Sequence, residues 1–275
     1  MKKPVLKGSL FLYMVLLTLP IALMIVWYFV RATYNPNTGS FSMENFSFLW
    51  QDIEYSGMQL PIIWPILINT LVYSLIIVVV EVSITVPAAY AFSRLEFKGK
   101  KGMLKFLFVM RSFPGITLII ATFLILLRMN LVNTYLGIVL VAVTGSLPGR
   151  IYIMKGFFDG VPWDLEWAAM VDGCSRFRAF YRVVLPAVST GIGAISTFAF
   201  FGAYGEWFLF KLLIFDNLSL TMGGYIAKLI TKDNIIREFG LICALGLFYT
   251  IPIIIFYLFT QKYFMKIQLG GRKGL

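Results

Sequence analysis

Phe200, Tyr204 and Trp207 stand at i, i+4 and i+7, so on a helix they form one stripe, with Glu206 beside them. An aromatic face for C–H surfaces and a carboxylate for hydroxyls is the chemistry of a polyhydroxylated solute. Helix packing gives the same stripe in a chain with 17% aromatic residues, so both readings stand. Glu81 and Arg111 lie inside apolar stretches, where an ionisable group needs a partner or a function. An interhelical ion pair, a snorkelling arginine or a transport role would each account for them. Little other chemistry is on offer. The chain has no His, the commonest metal ligand and general base. It contains no GxxxxGK[ST] or GxGxxG pattern, so no nucleotide site is expected within it. Cys174 and Cys243 are its only cysteines, too few for a disulfide framework. No catalytic residue, metal ligand or resident cofactor is predicted.

The elements that must carry these residues are membrane helices. Apolar residues make up 59% of the 275 and charged residues 13%, with a mean hydropathy of +0.84. Soluble domains sit near 45–50% apolar and about 25% charged. The net charge of +11 would suit nucleic acid, but the cations gather in the gaps between apolar stretches, as topology signals do. Nucleic acid is therefore not an expected partner, whereas membrane lipid is. Six stretches reach the roughly 20 residues a crossing needs: 9–30, 64–92, 104–127, 135–154, 187–210 and 239–261. The first follows Lys2, Lys3 and Lys7, yet its apolar run exceeds a signal-peptide core, so it is read as a retained helix.

Cation counting then orients the chain. One side collects Lys2, Lys3, Lys7, Arg94, Lys98, Lys100, Lys101, Lys105, Arg150, Lys155, Arg176, Arg178, Arg182, Lys262, Lys266, Arg272 and Lys273. The other holds only Arg31, Arg128, Lys211, Lys228, Lys232 and Arg237. The positive-inside rule predicts an all-α polytopic protein with six transmembrane helices and both termini cytoplasmic. Its expected divisions are a first helix and outer loop over 1–65, a core over 66–268 and a cytoplasmic tail over 269–275. The 39–61 and 211–238 connections are expected outside.

The cytoplasmic segment over 156–186 is more than a connector. Pro162 and the acids Asp164 and Glu166 mark a helix start. Ala168 and Ala169 form a small-residue face, and Gly173 suits the left-handed position that ends a helix. Ser175 is placed to cap a second short helix, with Arg176, Arg178 and Arg182 opposite Phe177, Phe180 and Tyr181. Leu185 and Pro186 then open the next crossing. The pattern suits a protruding knob, or equally a helix pair lying on anionic lipid.

This segment resembles the cytoplasmic EAA loop of binding-protein-dependent ABC importer permeases, whose pattern is E-A-A-x3-G-x9-I-x-L-P. Ala168, Ala169, Gly173, Val183, Leu185 and Pro186 reproduce its spacing, while the pattern's Glu falls on Trp167 and an acid sits one place earlier at Glu166. The run AYAFSR over 89–94 with FKGKK over 97–101, and LVNTYLG over 131–137, are similar to the second permease of maltose-type sugar importers. So are YGEW over 204–207, with two substitutions, and QKYF over 261–264.

The resemblance implies the type I importer permease fold in a bacterial or archaeal cytoplasmic membrane. It implies a second homologous permease, two cytoplasmic ATPase subunits that bind ATP and Mg, and an extracytoplasmic solute-binding protein as partners. Glu166, Trp167, Ala168, Ala169, Met170, Asp172, Gly173, Phe180, Leu185 and Pro186 would form the coupling element. Phe200, Tyr204, Glu206 and Trp207 would border the path of a di- or oligosaccharide. A permease for another solute, such as a polyamine or glycerol phosphate, is the nearest alternative. A secondary transporter is a further one, against which stand the single mid-span acid and the lack of an internal repeat.

Overall fold

The computed structural model describes residues 3–35, 39–55, 58–113, 115–215, 221–230 and 239–270. The protein is mostly helical. Four helices are long and apolar enough to cross a membrane among the described residues: α1 (Lys3–Thr33), α2 (Ile63–Arg94), α5 (Tyr135–Asp159) and α11 (Phe239–Gly270). Each carries one internal proline, at Pro20, Pro87, Pro148 and Pro252. That is tolerable where neighbouring groups in a bundle satisfy the freed carbonyl.

The predicted fifth crossing is bent. Ser189–Tyr204 carries most of it, and Arg176–Ala187 leads into it across a 72° bend. The residues responsible are local. Pro186 cannot donate the amide that an uninterrupted helix would need. The chain widens into a π-helical turn over Phe180–Val184, passes through α8 (Leu185–Ala187), and turns at Val188 into α9 (Ser189–Tyr204). It breaks again at Gly205 to Trp207 before α10 (Phe208–Leu213).

The predicted crossing over 104–127 is divided. It comprises α3 (Lys100–Met110), a 3-10 turn over Gly115–Leu118 and α4 (Ile119–Arg128). A ten-residue helix rises about 15 Å, half the hydrocarbon thickness. The sequence explains the division, since Pro114 and Gly115 are poor helix formers in adjacent places.

Two compact units emerge from the packing. One comprises Met1–Ile66 with Tyr225–Pro252, the other Leu67–Gly224 with Ile253–Leu275. In the first, two short hairpins, β1 (Tyr34–Asn35) with β2 (Ser40–Phe41) and β3 (Ile53–Tyr55) with β4 (Met58–Leu60), flank a 3-10 helix over Glu44–Leu49. That loop is tied by its side chains. Asn45 donates to the Ala32 carbonyl at 2.9 Å, Asp52 accepts from the Ile62 amide at 2.8 Å, and Trp64 donates to Leu49 at 2.7 Å. Phe48 is fully buried against the edge of Phe248.

The second unit holds two apolar clusters. One gathers Val86, Phe92, Ile151, Met154, Phe158, Phe180 and Val184. The other gathers Tyr73, Ile77, Leu126, Ile138, Ala203, Phe210 and Leu213. Along α2 and α5 the residues between these clusters include Glu81 and Arg150, which form an ion pair at 2.5 Å. Arg150 therefore leaves the set of cytoplasmic cations to which charge counting assigns it. Sixteen cations still stand against six.

Candidate functional site

The knob is built as its residues dictate. Helix α6 (Trp163–Val171) starts after Pro162 with Asp164 and Glu166 in its first turn. It ends at Gly173, whose φ is +87°. The Gly173 amide donates to Met170 at 3.1 Å and the Cys174 amide to Ala169 at 3.0 Å, the paired closure that satisfies the last carbonyls of a helix. Ser175 then caps α7 (Arg176–Ala179), its hydroxyl accepting from the Arg178 amide at 3.4 Å.

The outward and inward faces differ sharply. Trp167 is 53% exposed, Phe177 72% and Val171 86%; Leu165 and Tyr181 are also exposed. Phe177 and Tyr181 meet edge to face at 4.7 Å. An aqueous loop has no folding reason to display so much apolar surface, which marks an interaction site. Arg178 and Arg182 are exposed within the same segment.

The underside is polar and closed. Glu166 is 1% exposed. It accepts from the Tyr90 hydroxyl at 2.6 Å and lies 3.4 Å from Arg176 Nε and 3.7 Å from Arg94 Nε. Arg94, equally buried, donates to the Phe158 carbonyl at 2.8 Å and the Val161 carbonyl at 2.5 Å, and its guanidinium sits 4.5 Å from the Trp163 ring centre. Arg176 donates to the Arg94 carbonyl at 3.1 Å. Ser93 adds a 2.6 Å bond to Asp159. The last turn of α2 is thus stitched to the end of α5 and to both knob helices. Just beyond it, Lys100 bonds Glu96 at 2.8 Å, and that bond and charge hold the Glu96 carboxyl below the usual carboxylate range.

The coupling residues named from sequence divide into three sets. Trp167, Ala168, Asp172, Gly173 and Pro186 are exposed. Met170 and Leu185 are half-buried. Glu166, Ala169 and Phe180 face inward, with Phe180 against Tyr90 at 4.5 Å. Tyr90, Arg94 and Arg176 are the partners that sequence reasoning missed. The signal available was an acid between Leu165 and Trp167 in a cation-rich loop, together with Tyr90 and Arg94 four apart at the end of α2.

The aromatic stripe is packed. Phe200 stacks on Phe256 at 3.9 Å with an interplanar angle of 4°, and Tyr204 stacks on Phe200 at 5.6 Å. Both are buried, while Trp207 is half-open beneath Lys211 at 5.8 Å. Glu206 behaves differently. Its carboxylate accepts from the Phe208 and Leu209 amides, both at 3.0 Å, and so holds the start of α10. It also borders two cavities. One, of about 160 Å³, is walled by Tyr73, Ile77, Glu81, Ser146 and Arg150; the other, of about 410 Å³, is mostly apolar, with Ile119, Val141, Leu209 and Leu212 in its wall. Tyr73, Ser146 and Arg150 carried no distinguishing mark in the sequence.

Residues 82–266 match the family described as the binding-protein-dependent transport system inner membrane component. The chain belongs to that family. Its relatives are permeases too. The trehalose transport system permease protein SugB of Mycobacterium tuberculosis is 34% identical, over 76% of this chain and 76% of its own. The maltodextrin transport system permease protein MalD of Streptococcus pneumoniae is 30% identical, over 85% of this chain and 80% of its own. Among solved structures, a bacterial ABC transporter involved in the import of the acidic polysaccharide alginate superposes with a TM-score of 0.79 at 18% identity. It covers 96% of this permease and 98% of that chain. This likeness shows the ABC importer permease fold. The knob of this permease combines an anchored root with a displayed apolar crest.

Proposed function

We propose that the permease is one half of the membrane pathway of an ATP-driven importer for a di- or oligosaccharide, in a bacterial or archaeal cytoplasmic membrane. Six crossings, with α3 to α4 as the third and α9 in the fifth, leave both termini in the cytoplasm. A second homologous permease completes the pathway. An extracytoplasmic binding protein delivers the solute, and two ATPase subunits bind and hydrolyse ATP with Mg. The observation that carries this reading is the knob: exposed Trp167, Val171, Phe177 and Tyr181 on helices rooted through Glu166 and Arg94 in the end of α2. An ATPase socket that covers the crest would move α2 and α5 through that root. The sugar assignment is supported by relatives named for trehalose and maltodextrin. The affinity-tagged chain, purified in mild detergent, should bring down a second permease and an ABC ATPase and should support ATP-dependent saccharide uptake in liposomes. Purification without any ATPase would end the proposal.

Orientation has its own test. In intact cells, an impermeant thiol reagent should modify a cysteine placed at Gln51 and leave one at Lys101 unmodified until the membrane is opened. Both positions are exposed, so access and not burial decides the outcome. Labelling at Lys101 in sealed cells would invert the topology.

A further inference from the structure

The smaller cavity is polar on several sides although it lies among membrane helices. Tyr73, Glu81, Ser146, Arg150 and Glu206 all reach it. Stability alone gives no reason for such a lining, since ionisable groups within a bilayer are costly and are kept for a task. Tyr73 is the sharpest case. It is 1% exposed, and its hydroxyl has no hydrogen-bond partner among the described residues. A buried donor without a partner carries its full desolvation cost. Its ring is already fixed edge-on to Phe210 at 4.8 Å, so a phenylalanine would pack as well without that cost.

We propose that this cavity is the chain's own solute contact, and that it takes an uncharged, hydroxyl-rich ring such as one pyranose unit and turns away a uronate. The inference rests on the importer reading above and adds to it the charge class of the solute. Two carboxylate residues, Glu81 and Glu206, line the cavity with one guanidinium, Arg150, whose Nε Glu81 already engages. The surplus charge is negative. A neutral hydroxyl can donate to a carboxylate and accept from Tyr73 or Arg150 at once, because it has both functions. A uronate carboxylate can only accept, and it would sit near an excess of like charge in a low dielectric. The larger, apolar cavity shares Glu206 and Ala142 with this one and offers a surface for the C–H face of such a ring. The structurally similar alginate importer, by contrast, is described as handling an acidic polysaccharide.

Tyr73→Phe in the complete reconstituted transporter separates solute contact from packing by sign. If the hydroxyl only packs, its removal leaves assembly and uptake equal or improved. As a solute donor, it is needed: the variant should assemble fully, while uptake of radiolabelled maltose or trehalose falls about fivefold, as for one lost neutral hydrogen bond. In a background with Cys174→Ser and Cys243→Ala, a Ser146→Cys thiol should be shielded from a small thiol reagent by maltose and not by digalacturonate. Unchanged uptake in Tyr73→Phe would overturn the site and leave the importer reading intact. Equal shielding by digalacturonate would overturn the preference for uncharged rings. If the wild-type transporter moves neither maltose, trehalose nor digalacturonate, the saccharide reading fails and takes this inference with it.

Discussion

Gly173→Val should give a chain that inserts and pairs with its partner permease but no longer retains the ATPase, or retains it without solute-stimulated hydrolysis. The cause is backbone conformation alone. Gly173 has φ +87°, and a Cβ built there meets no atom within 4 Å, so there is no clash to relieve by repacking. The left-handed region costs an ordinary L-residue about 1–2 kcal/mol and a β-branched one more. Valine would escape by changing φ. That breaks the closure of α6 through Gly173 to Met170 and Cys174 to Ala169, and α7 then leaves in another direction. Phe177 and Tyr181 would no longer stand beside Trp167 on one crest. Gly173→Asn, which tolerates positive φ, should be mild, and Gly173→Ala intermediate. Co-purification of the ATPase and solute-coupled ATP hydrolysis are the readouts. Normal values for both in Gly173→Val would sink the coupling assignment.

Glu166→Ala should fail earlier, at the stability of the permease itself. Its carboxylate faces Arg94 and Arg176 and accepts from Tyr90. Arg94 is as buried as Glu166, whereas Arg176 is half in solvent and its pairing is screened. At 3.7 Å the Arg94 contact is an ion pair without a hydrogen bond, since neither Arg94 Nε nor Glu166 Oε2 has one among the described residues. Removing one member of a buried pair leaves the other charge unpaired, typically at about 3–5 kcal/mol. The expected result is a clearly lower unfolding temperature in detergent and poor recovery of the assembled complex. Arg94→Met combined with Glu166→Ala should recover part of that loss, because no stranded charge remains. Trp167→Ala is the contrast. Trp167 is exposed, so the chain should stay stable while docking weakens by one to two orders of magnitude, from about 1.5–3 kcal/mol of lost burial. A Glu166→Ala protein as stable as wild type would show that the root does not hold the knob.

Both experiments turn on residues that sequence reasoning reached by different routes. Gly173 was legible because a glycine between an apolar helix and a serine cap has one common use, and that use is local. Glu166 was legible as an acid in the loop, but not as its anchor. The partners that bury it, Tyr90 and Arg94, come from a helix more than 70 residues earlier. The same limit applies to Glu81, whose partner is Arg150, 69 residues away, and not Arg111. The aromatic stripe shows the limit from the other side. Spacing put Phe200 and Tyr204 on one face, and the structure turns that face onto Phe256.

What the amino-acid sequence determined by itself is whatever depends on neighbours along the chain. Long apolar runs make the membrane helices, cation clusters orient them, and Pro162, Gly173, Ser175 and Pro186 punctuate the knob. These are short-range effects of solvation, dihedral freedom and amide availability, and they leave a mark in a window of some twenty residues. Tertiary structure alone decided which face of each helix is covered. It placed Glu166 beneath the knob, set Glu81 against Arg150, and left the Tyr73 hydroxyl without a partner among the described residues. In a membrane, apolar surface is equally content against lipid or another helix, so hydrophobicity no longer says which side faces inward. Pairings of polar groups distant in sequence settle that question, and they exist only once the helices have packed.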